Sequence, residues 1–74
     1  MPKAKTTVTF WQQLNGLIVA QKDNLFFAFP AEATDMVKKD KSMRQNVARN
    51  FDSAPLKTNS FELVGAVIID KIEV

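Results

Sequence analysis

The dipeptide Asn15-Gly16, set between two apolar runs, constrains this chain more than any other feature. Both residues tolerate positive φ, which a two-residue type I′ turn requires at its two central positions. The flanks are β-branched and aromatic, Thr7-Val8-Thr9-Phe10-Trp11 on one side and Leu17-Ile18-Val19 on the other. Together they predict a β-hairpin. Lys22-Asp23-Asn24 offers a second turn. Leu25 to Phe29 then makes a third strand, closed by Pro30, which has no N–H to give to a ladder.

The register follows if both turns are two-residue loops. Leu14 then faces Leu17, Gln12 faces Val19, and Phe10 faces Gln21. Across the second turn, Ala20 faces Phe27 and Ile18 faces Phe29. One side carries Val8, Phe10, Leu14, Leu17, Val19 and Phe26, interrupted by Gln12 and Gln21. The other carries Trp11, Ile18, Ala20, Leu25, Phe27 and Phe29. Both sides are largely apolar, whereas a lone antiparallel meander keeps one wet face. The expectation is that the chain's own helix covers one face and that a partner, a second subunit or a ligand covers the other.

A helical alternative exists for the same residues. Phe10, Leu14, Leu17, Ile18 and Gln21 match helical spacing, with Thr7 as a cap. Against it, the Thr7–Trp11 run is a poor helix former, and Gly16 in mid-helix costs about 1 kcal/mol. The propensities favour the hairpin.

Beyond Pro30, residues 31–51 contain no Gly or Pro and read as helical. Glu32 and Asp35 suit the positive end of a helix dipole, and Arg44 and Arg49 the negative end. Ser42-Met43-Arg44-Gln45 has the form of a capping box, which allows two helices joined at Asp40-Lys41. Met36, Val37, Met43 or Arg44, Val47, Ala48 and Phe51 define the apolar stripe expected to pack on the sheet. Asp52 to Pro55 ends the helical region, and Leu56 to Ser60 is a polar connector. Phe61 to Val74 reads as a last strand, buried and central from Leu63 to Ile69, with Gly65 at a bulge or bend. Its end, Asp70 to Val74, alternates and suits an edge or pairing with a second copy. The fold expected is α+β, with a three-stranded N-terminal β-meander, a helical segment and a C-terminal strand in one antiparallel sheet. Residues 1–6 form a basic tail, with Lys3 and Lys5, and 7–74 one small domain.

A chain of 74 residues with no Cys and no His narrows the chemistry. Disulfides are excluded, as are ordinary zinc and haem sites. A core this small supplies only about 3–5 kcal/mol, so the staple expected is association into a homo-oligomer. The commonest general base and the best nucleophile are missing. Glu32 with Asp35, and Lys39 with Ser42, have spacings that would suit catalytic pairs. Dipole-compensating acids and a solvated helix surface account for them as well. The two glycines form no phosphate loop. The chain is expected to be non-enzymatic, with no cofactor and no metal. No apolar run approaches a membrane span. No signal-peptide pattern follows Lys3 and Lys5, and a cytoplasmic location is expected.

Between residues 36 and 49 five cations, Lys38, Lys39, Lys41, Arg44 and Arg49, meet only one acid, Asp40. A basic groove beside aromatic platforms is how single-stranded nucleic acids are held. The leading expectation is therefore a small nucleic-acid-binding regulatory protein. Lys22, Lys38, Lys39, Lys41, Arg44 and Arg49 would meet phosphates, and Trp11 would stack beside Phe27 and Phe29. The competing expectation is a protein-interaction or inhibitor module, acting through an apolar sheet face or an edge strand.

Overall fold

The computed structural model describes residues 6–53 and 63–73. The basic tail up to Lys5, the connector and the start of the expected last strand at Phe61 lie outside the described residues, as does Val74. Among the described residues four strands, β1 (Thr7–Gln12), β2 (Ile18–Lys22), β3 (Leu25–Ala28) and β4 (Val67–Glu73), form one antiparallel sheet in the order β3-β2-β1-β4. Two helices, α1 (Thr34–Lys39) and α2 (Lys41–Arg49), come between β3 and β4 in the chain. They are flanked by short 3₁₀ turns at Ala31–Ala33 and Phe51–Ser53. The architecture is the expected α+β, with the meander as a hairpin pair and not a helix.

The first hairpin has the expected turn residues but a different loop. The Gly16 amide donates to the Gln13 carbonyl at 2.9 Å, and the Gln13 amide donates to the Leu17 carbonyl at 2.9 Å. The loop is thus three residues, Leu14-Asn15-Gly16, a turn that ends on one left-handed residue. Gly16 takes that position at φ +88°. Asn15 is spared a positive φ, and its Oδ1 accepts from the Leu17 amide at 3.0 Å. The Gln12 amide group donates to the Gly16 carbonyl at 3.2 Å and ties the loop to β1.

One extra loop residue shifts the β1–β2 register by one and exchanges the faces of β1. Phe10 pairs with Ala20, Gln12 with Ile18 and Trp11 with Val19, where Gln21, Val19 and Ala20 were expected. Burial accounts for the shift. The two-residue loop would mix Phe10 with Gln21 and Gln12 with Val19. The three-residue loop gathers Val8, Phe10, Ile18 and Ala20 on one face, and all four are fully buried. The second hairpin keeps its expected register, with Ala20 opposite Phe27 and Lys22 opposite Leu25. Asp23 supplies the positive φ of 55° there. The Phe29 amide donates to the Ile18 carbonyl at 3.0 Å, so Phe29 continues the alignment past the strand end.

The helices and the 3₁₀ turn after α2 bring Val37, Ala48 and Phe51 onto that face to meet Val8, Phe10, Ile18, Ala20, Phe29 and Ile72. Phe29 stacks 6.2 Å from Phe10 and takes the edge-on contact of Phe27 at 4.9 Å. Met43 and Val47 pack on the rim of the cluster, but Met36 is exposed. Met36 and Val37 are 100° apart around a helix, and Val37 takes the inward position. The opposite face of the sheet holds Val19, fully buried, and Phe26, nearly so. It is not a bare apolar surface awaiting cover.

Two further expectations are corrected. The helix joint is at Asp40, as read, but the cap is Asp40 itself: its Oδ1 accepts from the Met43 amide at 3.2 Å. Ser42 lies inside α2 and does not form the capping box. The last strand is shorter and lies at the edge. Val64-Gly65 forms a turn, with Gly65 at φ +70°, and β4 begins only at Val67. Its single neighbour among the described residues is β1. The bulge falls at Ile69, where pairing jumps from Phe10–Asp70 to Trp11–Ile68.

The cap assignment is testable by thermal denaturation. Asp40→Ala removes an N-cap worth about 0.5–2 kcal/mol, which lowers the Tm of a domain this size by about 4–8 °C per kcal/mol. Ser42→Ala, on an exposed helix position, stays within about 0.5 kcal/mol. The reverse ranking would restore the capping box.

Candidate interaction surfaces

The residues expected to contact nucleic acid are not one group. Arg44, on the sheet-facing side of α2, is committed inside the fold. Its Nε donates to Asp70 Oδ2 at 2.8 Å, and its Nη1 donates to the carbonyls of Val37 at 2.8 Å and Lys38 at 2.7 Å. Both Arg44 and Asp70 are mostly buried. A helix end leaves its last carbonyls without intrahelical donors, and the Arg44 guanidinium supplies two of them at the end of α1. One side chain thus joins α1, α2 and β4. Its planar fork, with donors in fixed directions, is what allows the three bonds.

Lys22 is committed too. Its Nζ lies 3.0 Å from Asp52 at the 3₁₀ turn after α2, while the Asp52 carboxylate stays exposed. Four cations remain exposed: Lys38 and Lys39 at the end of α1, Lys41 at the start of α2, and Arg49 at its end. Lys38, Lys39 and Lys41 surround the α1–α2 corner, where the Asp40 carboxylate is engaged as a cap. Arg49 is two turns of helix away, about 12 Å at 1.5 Å per residue.

The expected aromatic platform is divided. Trp11 points to the face opposite Phe27 and Phe29, because the register shift turned β1 over. Phe29 is buried and Phe27 packs against the core. Trp11 is half-buried, opposite Val19 on β2 and Ile68 on β4, and its indole N–H donates to Gln21 Oε1 at 2.9 Å. The basic corner belongs to the helical layer, on the other side of the sheet.

A different surface stands out at one end of β4. Ile68 is 46% exposed, Val67 58%, Val64 73% and Leu14 80%. A β-carbon on Gly65 would lie 2.6 Å from the Leu14 side chain, so the hairpin tip leans over the turn before β4. Leu14 thus lies over the turn that carries Val64 and leads into Val67 and Ile68, which point to opposite faces of the sheet. These residues adjoin the outer edge of β4, whose N–H and C=O groups meet no strand among the described residues. The other edge is different in kind: β3 has four residues and is followed closely by Pro30. Leu14 and Val64 were not legible as surface residues, since the two-residue loop put Leu14 in a strand pair. Asp70 carries a signal in the sequence: it is the acid that directly follows the apolar run Val67-Ile68-Ile69, as Arg44 is the one cation in an apolar stripe.

Among the described residues no pocket opens, no group of three or more Asp, Glu, His or Cys gathers, and no helix is long and apolar enough to cross a membrane. Comparison with protein-family models, curated proteins and solved structures gave no match.

Arg44 is expected to matter for stability and the corner lysines are not. Arg44→Ala strips charge-assisted hydrogen bonds worth about 1.5–3 kcal/mol. Urea unfolding should show that loss in the midpoint. Arg44→Lys should recover only part of it, because an ammonium lacks the planar fork. Lys39→Ala should stay within about 0.5 kcal/mol.

Proposed function

We propose that this is a non-enzymatic protein-interaction module that receives a polypeptide strand along the outer edge of β4. One observation carries the proposal: among the described residues the longest strand of the sheet is an edge strand whose outer backbone groups meet no other strand, and its first residues expose apolar side chains. Proteins usually blunt such an edge with charge, proline, a β-bulge or a covering element. Lys71, Glu73 and the bulge at Ile69 do so for the far half of β4, and Val67 and Ile68 carry no charge. Strand addition takes its affinity from backbone hydrogen bonds and its specificity from the flanking side chains. Leu14, Val64, Val67 and Ile68 are placed to provide the latter. A reducing, cytoplasmic setting is part of this proposal and suits a chain with no cysteine.

Nucleic-acid binding is the second reading, and the exposed corner of Lys38, Lys39 and Lys41 is the observation that favours it. Arg44 and Lys22 are engaged within the fold, and Trp11 is separated from Phe27 and Phe29 by the sheet. Trp11, the only tryptophan, reports on both readings. Titration with single-stranded and duplex oligonucleotides should leave its fluorescence unchanged at low and moderate salt. Salt-sensitive binding, abolished by the combined Lys38→Glu, Lys39→Glu and Lys41→Glu changes, would replace the present proposal with the second reading. The edge itself is tested by amide exchange in protein dilute enough to be monomeric. The amides of residues 67–69 that point away from β1 should exchange as freely as those of an open strand. Strong protection there would mean the edge is already covered, and the proposal would fall.

A further inference from the structure

Resting on the strand-edge reading above, we infer that the occupant of the β4 edge is a second copy of this chain, paired antiparallel through β4 with Ile68 at the two-fold axis. The two-fold of an antiparallel strand pair is normal to the sheet, so some residue must face its own equivalent. The sequence Ala66-Val67-Ile68-Ile69-Asp70-Lys71 discriminates between the possible centres. Centring on Asp70 sets two carboxylates directly opposite, which is destabilising. Asp70 is moreover held by Arg44 of its own chain. Centring on Ile69 sets Val67 against Lys71 and Ile68 against Asp70. Centring on Val67 sets Ile69 against Gly65 and Val64 against Asp70. Only the register centred on Ile68 pairs the three apolar residues wholly with one another: Val67 with Ile69, Ile68 with Ile68, Ile69 with Val67. The bulge at Ile69 ends the regular register there, so Asp70 and Lys71 fall beyond the paired segment and no like charges meet.

The surroundings agree with this centre. Ile68 is on the face that carries Trp11, its neighbour on β1, so the two-fold brings two Ile68 and two Trp11 side chains around one axis. Val67, on the other face, is the most exposed apolar residue of the strand, at 58%. The edge carries its charge beyond the paired segment, at Lys71 and Glu73, where it limits growth of the interface. Because the axis is normal to the sheet, both helical layers fall on the same side of a continuous eight-stranded sheet. A small core without disulfide or metal gains a second source of stability by such pairing.

The test uses the full chain. Sedimentation should show the mass rising with concentration from that of one 8.3 kDa chain to twice that value and no further. Ile68→Lys, or Val67→Lys should the first variant lose its circular-dichroism signature, should hold the protein monomeric with an unchanged fold. The register is read separately. The chain has no cysteine, so Ile68→Cys introduces a lone thiol that meets its own equivalent only in this dimer. Oxidation should convert it to a cross-linked dimer, while Asp70→Cys should stay uncross-linked. A chain that remains monomeric at high concentration overturns the second-copy inference. Freely exchanging amides at 67–69 in that monomer would leave the edge open to another protein, whereas protected amides would overturn both readings. A dimer that Ile68→Lys does not disturb, or that cross-links at position 70 and not at 68, overturns the proposed interface.

Discussion

The register of β1 is the constraint on which the rest of this protein depends. β1 is the central strand that both β2 and β4 pair with, so its facing decides what every other element meets. That facing is set by one loop residue. With three residues in the turn and Gly16 in the left-handed region, Phe10 and Val8 point to the helices and Trp11 points away. A side-chain period of two makes the choice all-or-none. The hydrophobic term selects it, because only one register collects Val8, Phe10, Ile18 and Ala20 on one face. Val8, Phe10 and Ile18 each contribute about 1.5–3 kcal/mol when removed from water.

The helical layer is anchored by a polar device as well as by packing. Arg44 reaches from α2 to the exposed carbonyls of α1 and to Asp70 of β4. The C-terminal strand is thereby tied to the helical pair as well as to β1. This arrangement explains how a short helix of six residues persists, since most helical stability in small domains comes from tertiary contacts. It also withdraws the central cation from the surface. Net basicity in a sequence segment and basicity available to a partner are different quantities, and the difference here is Arg44.

The surface that remains is asymmetric. The β3 edge is short and ends near Pro30. The β4 edge is long, and its first half has neither charge nor cover among the described residues. Lys38, Lys39 and Lys41 gather at the α1–α2 corner, in the helical layer on the opposite side of the sheet from Trp11, whereas the exposed Lys71 of β4 shares the Trp11 face. A partner that needs stacking on Trp11 and phosphate contacts with that corner together would have to reach around the sheet. One that needs backbone pairing with exposed apolar side chains finds both at one place.

The sequence by itself determined the element types, both turn positions, the Asp40 joint and the α+β order, because these follow from local preferences. Asn-Gly and Asp-Asn tolerate the left-handed region, Pro30 stops a strand, and β-branched and aromatic runs extend. Tertiary structure alone decided the loop length at Asn15-Gly16, the facing of Trp11, the burial of Arg44 and the edge position of β4. A turn dipeptide is compatible with two loop lengths, and burial summed over four strands chooses between them. An apolar strand reads as central until its neighbours are known. Whether a cation is a binding group or a clamp depends on an acid 26 residues away in the chain and 2.8 Å away in space. Local propensity has no access to that distance.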